Sequence, residues 1–354
     1  MKTANKLNGG VVMNRKFVLS FLCLPLCLDA LGGVAFAAPN ADERYSQGHE
    51  AYIARDYKRA FDHFSVAAEE GGADVNAKND DGWTPLMYAA EKHSSEVLSA
   101  LIRAGADVNA KDDNGWDWTP LICAARGNNT EVFSALIQAG ADVNAKDRND
   151  YTPMIWLLQS EEVTGAARKN NTEALSALIQ AEADVNAKDC DGWTPLMLAA
   201  GKNGAEVLNL LIQAGADVSV KNNDGRTPLM IASEKNSLEV LEFLIQAGLD
   251  VSAKDNDGWT PLMIASEWNS AEVLDFLIQG GADVNAKDND GWTPLMIAAR
   301  TDFMKPEIVL LLLDKGADPA AKNKDGKNAL DYATENGDLN DTEACKALEK
   351  AVNK

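Results

Sequence analysis

The sequence DGWTPLM occurs four times in this chain, at residues 81–87, 191–197, 257–263 and 290–296. Variants of it stand at 116–122, 149–155 and 224–230. Successive threonines of the seven blocks are separated by 35, 33, 42, 33, 33 and 33 residues, and they are Thr84, Thr119, Thr152, Thr194, Thr227, Thr260 and Thr293. Self-similarity at a period near 33 residues indicates a repeat protein, in which each unit packs on its neighbours.

The block itself predicts the start of a helix. Thr84 suits the N-cap position, because its hydroxyl can accept a backbone N–H, and Pro85 suits the first helical position. Leu86, Ala89 and Ala90 are then expected to pack inward. The small alanines let the helices of adjacent repeats approach each other closely. We expect this inner helix in every copy.

A second, outer helix follows in each copy. In the first copy, Val97, Leu98 and Leu101 recur at helical spacing, and Glu96 favours the positive N-terminus of the helix. Gly105 ends the helix, because glycine adopts the left-handed conformation without strain. The segment ADVNAKD then runs extended and turns at Asp-Gly, which predicts a hairpin between repeats.

The pattern resembles the ankyrin repeat, whose TPL, AA, EV, LL and GADVN positions are matched in seven copies. An eighth, degenerate copy begins at Asp325, where Asn328 and Asp331 replace the threonine and methionine of the internal copies. The resemblance covers residues 72–354. It implies a mainly α-helical ankyrin-repeat solenoid of helix-turn-helix units joined by β-hairpin loops. The family usually has glycine between the two helices, where this chain has Asn128, Asn203, Asn236 and Asn269.

Residues 1–37 are predicted to be a secretory signal peptide. Arg15 and Lys16 precede an apolar run over 17–28, and Ala35 and Ala37 flank Phe36 at a cleavage site before residue 38. A membrane span needs about 20 residues, so the shorter run favours cleavage over a retained anchor. The protein is therefore expected to be exported, with the periplasm first and the extracellular medium second.

Residues 38–71 precede the first complete block and are predicted to form an N-terminal helical cap. The ends of a solenoid need such caps, because an end repeat has a neighbour on one side only. The segment resembles a tetratricopeptide-like helix pair at Gly48, Tyr52, Tyr57, Ala60, Phe64 and Ala67.

The chain is strongly acidic, with 33 basic and 54 acidic residues and a net charge of −21. Removal of residues 1–37 takes away four of the basic residues and one acidic residue, so the exported form is more negative still. Such a chain repels nucleic-acid phosphates and anionic lipid surfaces. We expect a monomer that binds a protein of unknown identity, with no nucleic acid, no membrane insertion after cleavage and no cofactor.

Catalytic and metal sites find little support in the sequence. The three histidines, His49, His63 and His93, have no metal-ligand spacing. The DNDG segments lack the ligands of a calcium loop, because Ala253 and Ile264 stand at the first and last ligand positions of one copy. The catalytic motifs of common enzyme families are also missing, so the protein is not expected to be an enzyme.

The residue before each threonine is the candidate for partner binding. Tryptophan, tyrosine and arginine are enriched in interface hot spots, and they dominate this position. These rung residues are Trp83, Trp118, Tyr151, Trp193, Arg226, Trp259 and Trp292. Trp268 joins them as an aromatic residue at a position that is charged in several other copies. The alternative is that each ring covers its own hairpin and the next one.

The third copy departs from the pattern. It has nine extra residues between its helices, from about Gln159, and Glu182 where its neighbours have glycine. The insertion is interpreted either as a binding loop or as a tolerated surface insertion.

Three functions follow from these features. The first is a non-catalytic adaptor outside the cytoplasm that binds a protein through the concave ankyrin surface. The second is a secreted effector that binds a host protein, since bacterial ankyrin proteins are sometimes of that kind. The third is a carbohydrate-binding surface, since sugars also stack on tryptophan.

Overall fold

The computed structural model describes residues 74–353 except 80–81, 92–94, 128–129, 160–164, 203, 236–237, 269–270, 301–305 and 336–341. It also describes a few helical positions between 43 and 59. The chain divides into two units, Met1–Pro39 and Asn40–Lys354, and everything below concerns the second. The predicted signal peptide, most of the predicted cap, the three histidines and the four interhelix asparagines lie outside the described residues.

The described part from residue 74 onward consists of eight helix pairs. The inner helices are α1 (Pro85–Glu91), α3 (Pro120–Gly127), α5 (Pro153–Gln159), α7 (Pro195–Gly201), α9 (Pro228–Lys235), α11 (Pro261–Trp268), α13 (Pro294–Arg300) and α15 (Ala329–Glu335). The outer helices are α2 (Ser95–Arg103), α4 (Thr130–Gln138), α6 (Gly165–Gln180), α8 (Ala205–Gln213), α10 (Leu238–Gln246), α12 (Ala271–Gln279), α14 (Pro306–Asp314) and α16 (Glu343–Val352). Each inner helix packs on the inner helix of the next repeat. The predicted mainly helical solenoid is confirmed.

Each internal inner helix begins as the sequence predicts, at the proline after the capping threonine. The threonine hydroxyl accepts the N–H of the third residue of the helix at 3.3–3.4 Å in all seven internal copies. In the final repeat, Asn328 and Asp331 bond reciprocally, with the Asn328 N–H 2.8 Å from the Asp331 carboxylate. This reciprocal pair is a capping box.

The core is one continuous cluster of leucines and alanines. Leu86, Ala89 and Ala90 of α1 and Leu98 of α2 are fully buried, and the same positions are buried along the array. Burial of one leucine side chain stabilises the fold by about 1.5–3 kcal/mol. Because these residues face neighbouring repeats, stability depends on stacking rather than on any single repeat.

The tight turns between repeats, which we call tips, hold their shape through one acidic or amide side chain each. In the tip before α11, the Asp255 N–H donates to the Trp259 carbonyl at 3.0 Å. The Asp255 carboxylate also accepts the N–H groups of Asp257 and Trp259 at 3.0 and 2.7 Å. The predicted turn is confirmed. No β-strand flanks it in the described residues, because the turn is closed by one short backbone pair and no longer ladder follows.

Successive tips are joined by hydrogen bonds. The Asn256 N–H donates to the Asp224 carbonyl at 2.9 Å, and the Asn256 side-chain amide donates to the Asn223 carbonyl at 2.8 Å. Gly258 has a φ of +85°, and a Cβ added there would lie 2.7 Å from the Asn289 nitrogen of the next tip. Glycine is therefore required both for the turn and for the close approach of the next repeat.

The asparagine of the GADVN segment forms a second bridge between repeats. Asn186 accepts the Asp217 N–H at 2.7 Å and donates to the Gly215 carbonyl at 3.2 Å. Two copies have serine at this position, Ser219 and Ser252. The Ser219 hydroxyl instead bonds Asp217 of its own repeat at 2.7 Å. A groove of about 380 Å³ lies beside these two serines.

The third repeat differs from the sequence-based expectation. The extra residues are not a loop from Gly165 onward, because α6 begins there and runs for 16 residues, against nine in most other outer helices. Residues 166–169 are Ala-Ala-Arg-Lys, which are good helix formers. Residues 160–164 lie outside the described part. Glu182 has a φ of +62° at the position where Gly215 has +91°.

Candidate functional site

The rung residues lie beside the inner helices and form part of a surface that we call the inner face. The residue eight positions after each rung stands at the end of the same inner helix, and we call it the helix-end residue. The rung and helix-end pairs are Trp83 with Glu91, Trp118 with Arg126, Tyr151 with Gln159, Trp193 with Gly201, Arg226 with Glu234, Trp259 with Glu267, Trp292 with Arg300, and Lys327 with Glu335.

Five of these eight pairs are in direct contact. The Arg126 guanidinium lies 4.0 Å from the ring centre of Trp118, and that of Arg300 lies 5.0 Å from the ring centre of Trp292. Tyr151 forms a side-chain hydrogen bond with its helix-end glutamine. The other two contacts are ion pairs, in which Arg226 binds Glu234 and Lys327 binds Glu335. In these five repeats the rung and helix-end residues therefore form one unit, although they are separate positions in the sequence pattern.

The first three rungs belong to one aromatic cluster. The ring centres of Trp83 and Trp118 are 5.8 Å apart, and those of Trp118 and Trp156 of α5 are 6.1 Å apart. The ring centre of Trp156 in turn lies 5.4 Å from that of Tyr151. Trp83 is only 8% exposed and offers little surface to a partner. Tyr88 also packs on Trp83, at 4.9 Å. In these repeats the rings pack on one another, while Trp118 and Tyr151 stay partly exposed.

The last aromatic rung is also packed. Trp292 stacks on Tyr332 of α15 with ring centres 4.4 Å apart and an angle of 28° between the rings. Lys327 lies 5.3 Å from the centre of the Tyr332 ring. This stack joins the last internal repeat to the degenerate final one.

The two middle tryptophans differ from these packed rungs. Trp193 and Trp259 are partly exposed and have no ring contact with another aromatic residue in the described part of the chain. Trp193 stands opposite Gly201, which has no side chain to cover it. Trp268 is 63% exposed and is the one large hydrophobic side chain among the described residues with that degree of exposure.

The arginine at the rung position of repeat five, Arg226, forms an ion pair within its own repeat. The Arg226 guanidinium binds one carboxylate oxygen of Glu234, and the Lys235 ammonium lies 2.9 Å from the other. Burial raises the pKa of Glu234, but the hydrogen bonds and charges of Arg226 and Lys235 outweigh burial, so its pKa lies below the ordinary value. A protein partner would have to compete with Glu234 for this arginine.

A groove of about 280 Å³ lies on the inner face between repeats six and seven. Trp259, Trp292 and Ile297 form its apolar walls. Its charged groups are Glu267, Asp288, Asp290 and Arg300. The combination of indole rings with an excess of carboxylates suits a ligand that is both apolar and positively charged.

The side chain of the first residue of a tip forms a hydrogen bond with the fourth residue of the following inner helix when this fourth residue is tyrosine or tryptophan. The Trp156 indole N–H donates to Asp147 at 2.9 Å, and Asn79 and Asn323 donate to the hydroxyls of Tyr88 and Tyr332 at 2.8 and 2.7 Å. The sequence pattern does not mark these inner-helix aromatics as site residues, because they lie outside the rung position and are aromatic in only three of the eight copies. The signal was present in the fourth position, which is Tyr88, Cys123, Trp156, Leu198, Ile231, Ile264, Ile297 and Tyr332.

Where that position is aliphatic or cysteine, the tip aspartate can lack a second donor. Asp112 is 5% exposed, and its Oδ2 atom has no hydrogen-bond partner among the described residues. Burial raises the pKa of Asp112, and it also raises the pKa of Asp189 and Asp255 in the equivalent tips. Cys123 beside this site is fully buried, and burial raises the pKa of its thiol strongly.

No group of three or more His, Cys, Asp or Glu side chains in the described residues has an arrangement that could hold a metal ion. None of the helices described is both long enough and apolar enough to cross a membrane.

Comparison with known proteins places the chain in a family. The family model for ankyrin repeats, described as three copies, matches residues 53–147, 163–255, 201–288, 251–323 and 277–353. The comparison with curated proteins gives no match. The matched segments together span well over half of the chain and leave out residues 148–162, which include α5. The chain belongs to the ankyrin-repeat family.

Proposed function

We propose that this protein is a non-catalytic scaffold that binds a protein partner through the inner face of repeats four to seven. Ankyrin repeats generally mediate protein–protein interactions and are typically non-catalytic. The observation that supports the location is the difference between rungs. Trp193 and Trp259 are partly exposed and have no aromatic neighbour among the described residues, whereas the rungs of the first three repeats belong to one packed aromatic cluster. Exposed aromatic side chains near the centre of a surface are frequent hot spots.

Affinity capture tests the proposal. The bait is the protein itself beside a variant with Trp193, Trp259 and Trp292 changed to alanine. A hot-spot role predicts that at least one rung contributes about 2 kcal/mol or more to binding, so the captured partner should be lost from the variant. Circular dichroism shows whether both baits are equally folded.

A control variant carries Gln213→Ala and Gln279→Ala, two exposed changes at the ends of outer helices α8 and α12. It should recover the same partners as the unmodified protein. Equal recovery by the tryptophan variant would show that the rungs have only a structural role and would refute the proposed binding surface.

The proposed place of action is outside the cytoplasm. The support is the basic, apolar and small-residue pattern of residues 1–37. Cell fractionation should recover the shortened protein from the periplasm, and N-terminal sequencing should begin at residue 38. Recovery from the culture medium without cell lysis would instead favour a secreted effector that binds a host protein.

A further inference from the structure

The helix-end residue is a glutamate in both repeat five and repeat six, but its neighbours differ between the two repeats. In repeat five, the helix-end Glu234 is bound by Arg226 from the rung position and by Lys235 from the next residue of α9. In repeat six, the helix-end residue is Glu267, and the two positions that supply cations in repeat five are occupied by Trp259 and Trp268. Both cations have been replaced by indole rings while the carboxylate is retained.

Among the described residues, no cation takes the place of those partners at Glu267. This glutamate is exposed, and no ion pair or hydrogen bond joins it to another residue in the described part of the chain. The next helix-end residue, Arg300, lines the same groove but lies over the Trp292 ring instead of forming an ion pair with Glu267. The carboxylate is thus available beside two partly or largely exposed indoles.

The neighbouring repeat shows which chemical group fits such a carboxylate. The Arg226 guanidinium reaches Glu234 from the rung position, and this contact occurs on the same helical framework one period earlier. In repeat six, the Trp259 ring lines the groove from the rung position. Guanidinium groups stack on tryptophan faces and bind carboxylates through directed hydrogen bonds.

We infer that the groove between repeats six and seven binds an arginine side chain of the protein partner, with its guanidinium at Glu267 and its apolar stem against Trp259. The charge of the groove agrees with this occupant: Lys324 pairs with Asp290 at 3.2 Å, which leaves the carboxylates of Glu267 and Asp288 against the single cation Arg300. The inference rests on the proposed function and specifies the chemistry of the partner segment.

Titration with a short peptide tests the inference directly. The probe is acetyl-Gly-Arg-Gly-amide, and the matched control replaces arginine by citrulline, which has nearly the same shape and no charge. The full chain is titrated at 0.15 M salt, where the screening length of about 8 Å limits non-specific attraction to an acidic protein. The arginine peptide should shift the indole N–H resonances of Trp259 and Trp268 saturably, and the citrulline peptide should not.

Matched variants locate the binding site. Glu267→Gln should weaken peptide binding about tenfold or more, because a charge-assisted hydrogen bond is lost. Glu234→Gln makes the same change in charge at the same helix position one repeat earlier, and it should leave binding at Trp259 unchanged. Trp259→Arg should create in repeat six an internal ion pair with Glu267 like the Arg226–Glu234 pair of repeat five, and this pair should block peptide binding. Arg300→Gln should strengthen binding, because a competing cation is removed.

The results separate this inference from the proposed function. Equal shifts with both peptides, or unchanged affinity in Glu267→Gln, would overturn the arginine site. If the partner captured by the protein is lost from the triple tryptophan variant but retained by Glu267→Gln, the binding surface stands and the arginine site fails. Loss of that partner from both variants, together with arginine-specific shifts, supports both.

Discussion

The residue that begins each tip carries out the same backbone task in repeats three to eight with either aspartate or asparagine. One side-chain oxygen accepts two N–H groups of the turn, as Asp189 does for Asp191 and Trp193 at 3.0 and 2.7 Å. An amide oxygen serves equally well, and Asn222 makes the same two contacts in repeat five. The second carboxylate oxygen is therefore useful only where another donor faces it.

Asp112→Asn is expected to stabilise the protein at neutral pH by about 1 kcal/mol, because it removes a buried negative charge. The new amide would lack an acceptor, as Asn222 Nδ2 does among the described residues, but a neutral unpartnered group costs less than a charged one. The pKa of Asp112 is raised by burial, so the stability linked to this carboxyl is present below its unfolded pKa and lost as the pH rises through its folded pKa. The gain from asparagine should therefore shrink as the pH is lowered. Urea denaturation at a series of pH values measures it.

Asp147→Asn is the matched control for this change. Both oxygens of Asp147 accept hydrogen bonds, one from the turn and one from the Trp156 indole at 2.9 Å. An asparagine cannot accept both, so this variant should lose about 1–2 kcal/mol of stability. If the two variants change stability in the same direction, the unpartnered oxygen of Asp112 does not explain its effect.

At the scale of the helix, the end of α6 carries a strain that the other outer helices avoid. Glu182 adopts a φ of +62° where glycine stands at Gly105, Gly140 and Gly215. A side chain meets no neighbour at these positions, since a Cβ added at Gly215 has nothing within 4 Å. The free-energy cost of glutamate at position 182 therefore comes from its positive φ angle alone and not from a steric clash with a neighbour.

Glu182→Gly should raise the free energy of unfolding by about 1 kcal/mol, because glycine occupies the left-handed region without penalty. The reverse change, Gly215→Glu at the equivalent end of α8, should lower it by a similar amount. Thermal and urea denaturation of both variants measure the effect. A loss of stability in Glu182→Gly would mean that the glutamate side chain makes a contribution larger than the strain.

Helix positions were largely predictable from the sequence because their causes are local. A threonine cap and the proline after it define the start of α7 and of the other internal inner helices, and a left-handed glycine defines the end of outer helices such as α8. The course of α6 was not predicted, since its first turns replace a loop that the family pattern leads one to expect. Its alanine, arginine and lysine residues favour helix, but the comparison with shorter repeats obscured that propensity.

At the scale of the whole array, the coupling between repeats varies along the chain. The asparagine bridge that Asn186 forms to Asp217 is missing at Ser219 and Ser252, because serine is too short to reach the next repeat. Two consecutive junctions in the centre of the array therefore have fewer hydrogen bonds than the junctions on either side.

Ser252→Asn should restore a bridge to the N–H of Asp283 and raise the free energy of unfolding by about 1 kcal/mol. Hydrogen exchange should show increased protection of the Asp283 amide. Asn186→Ser tests the converse and should lower protection at Asp217. Unchanged exchange at Asp283 in Ser252→Asn would show that the bridge does not form at this junction.

The inner face could be predicted only in part from the sequence. The rung residues were identified because they follow the repeat, and the chemistry of tryptophan and arginine is independent of context. Which rungs are packed could not be deduced, because Trp118 and Trp156 are 38 positions apart in the sequence and meet only through the stacking of α3 and α5. The engagement of Arg226 by Glu234 likewise depends on a helix that brings residues eight positions apart together.

The hydrogen bonds that join successive tips have a consequence for the evolution of the protein. Asn223, Asn256 and Asn289 make equivalent contacts at intervals of 33 residues. Unequal recombination between the corresponding stretches of coding sequence would insert or delete a whole period and still join one tip to an equivalent tip. The number of repeats can thus change without requiring a new type of contact between repeats. Each gain or loss adds or removes one complete rung with its own binding chemistry.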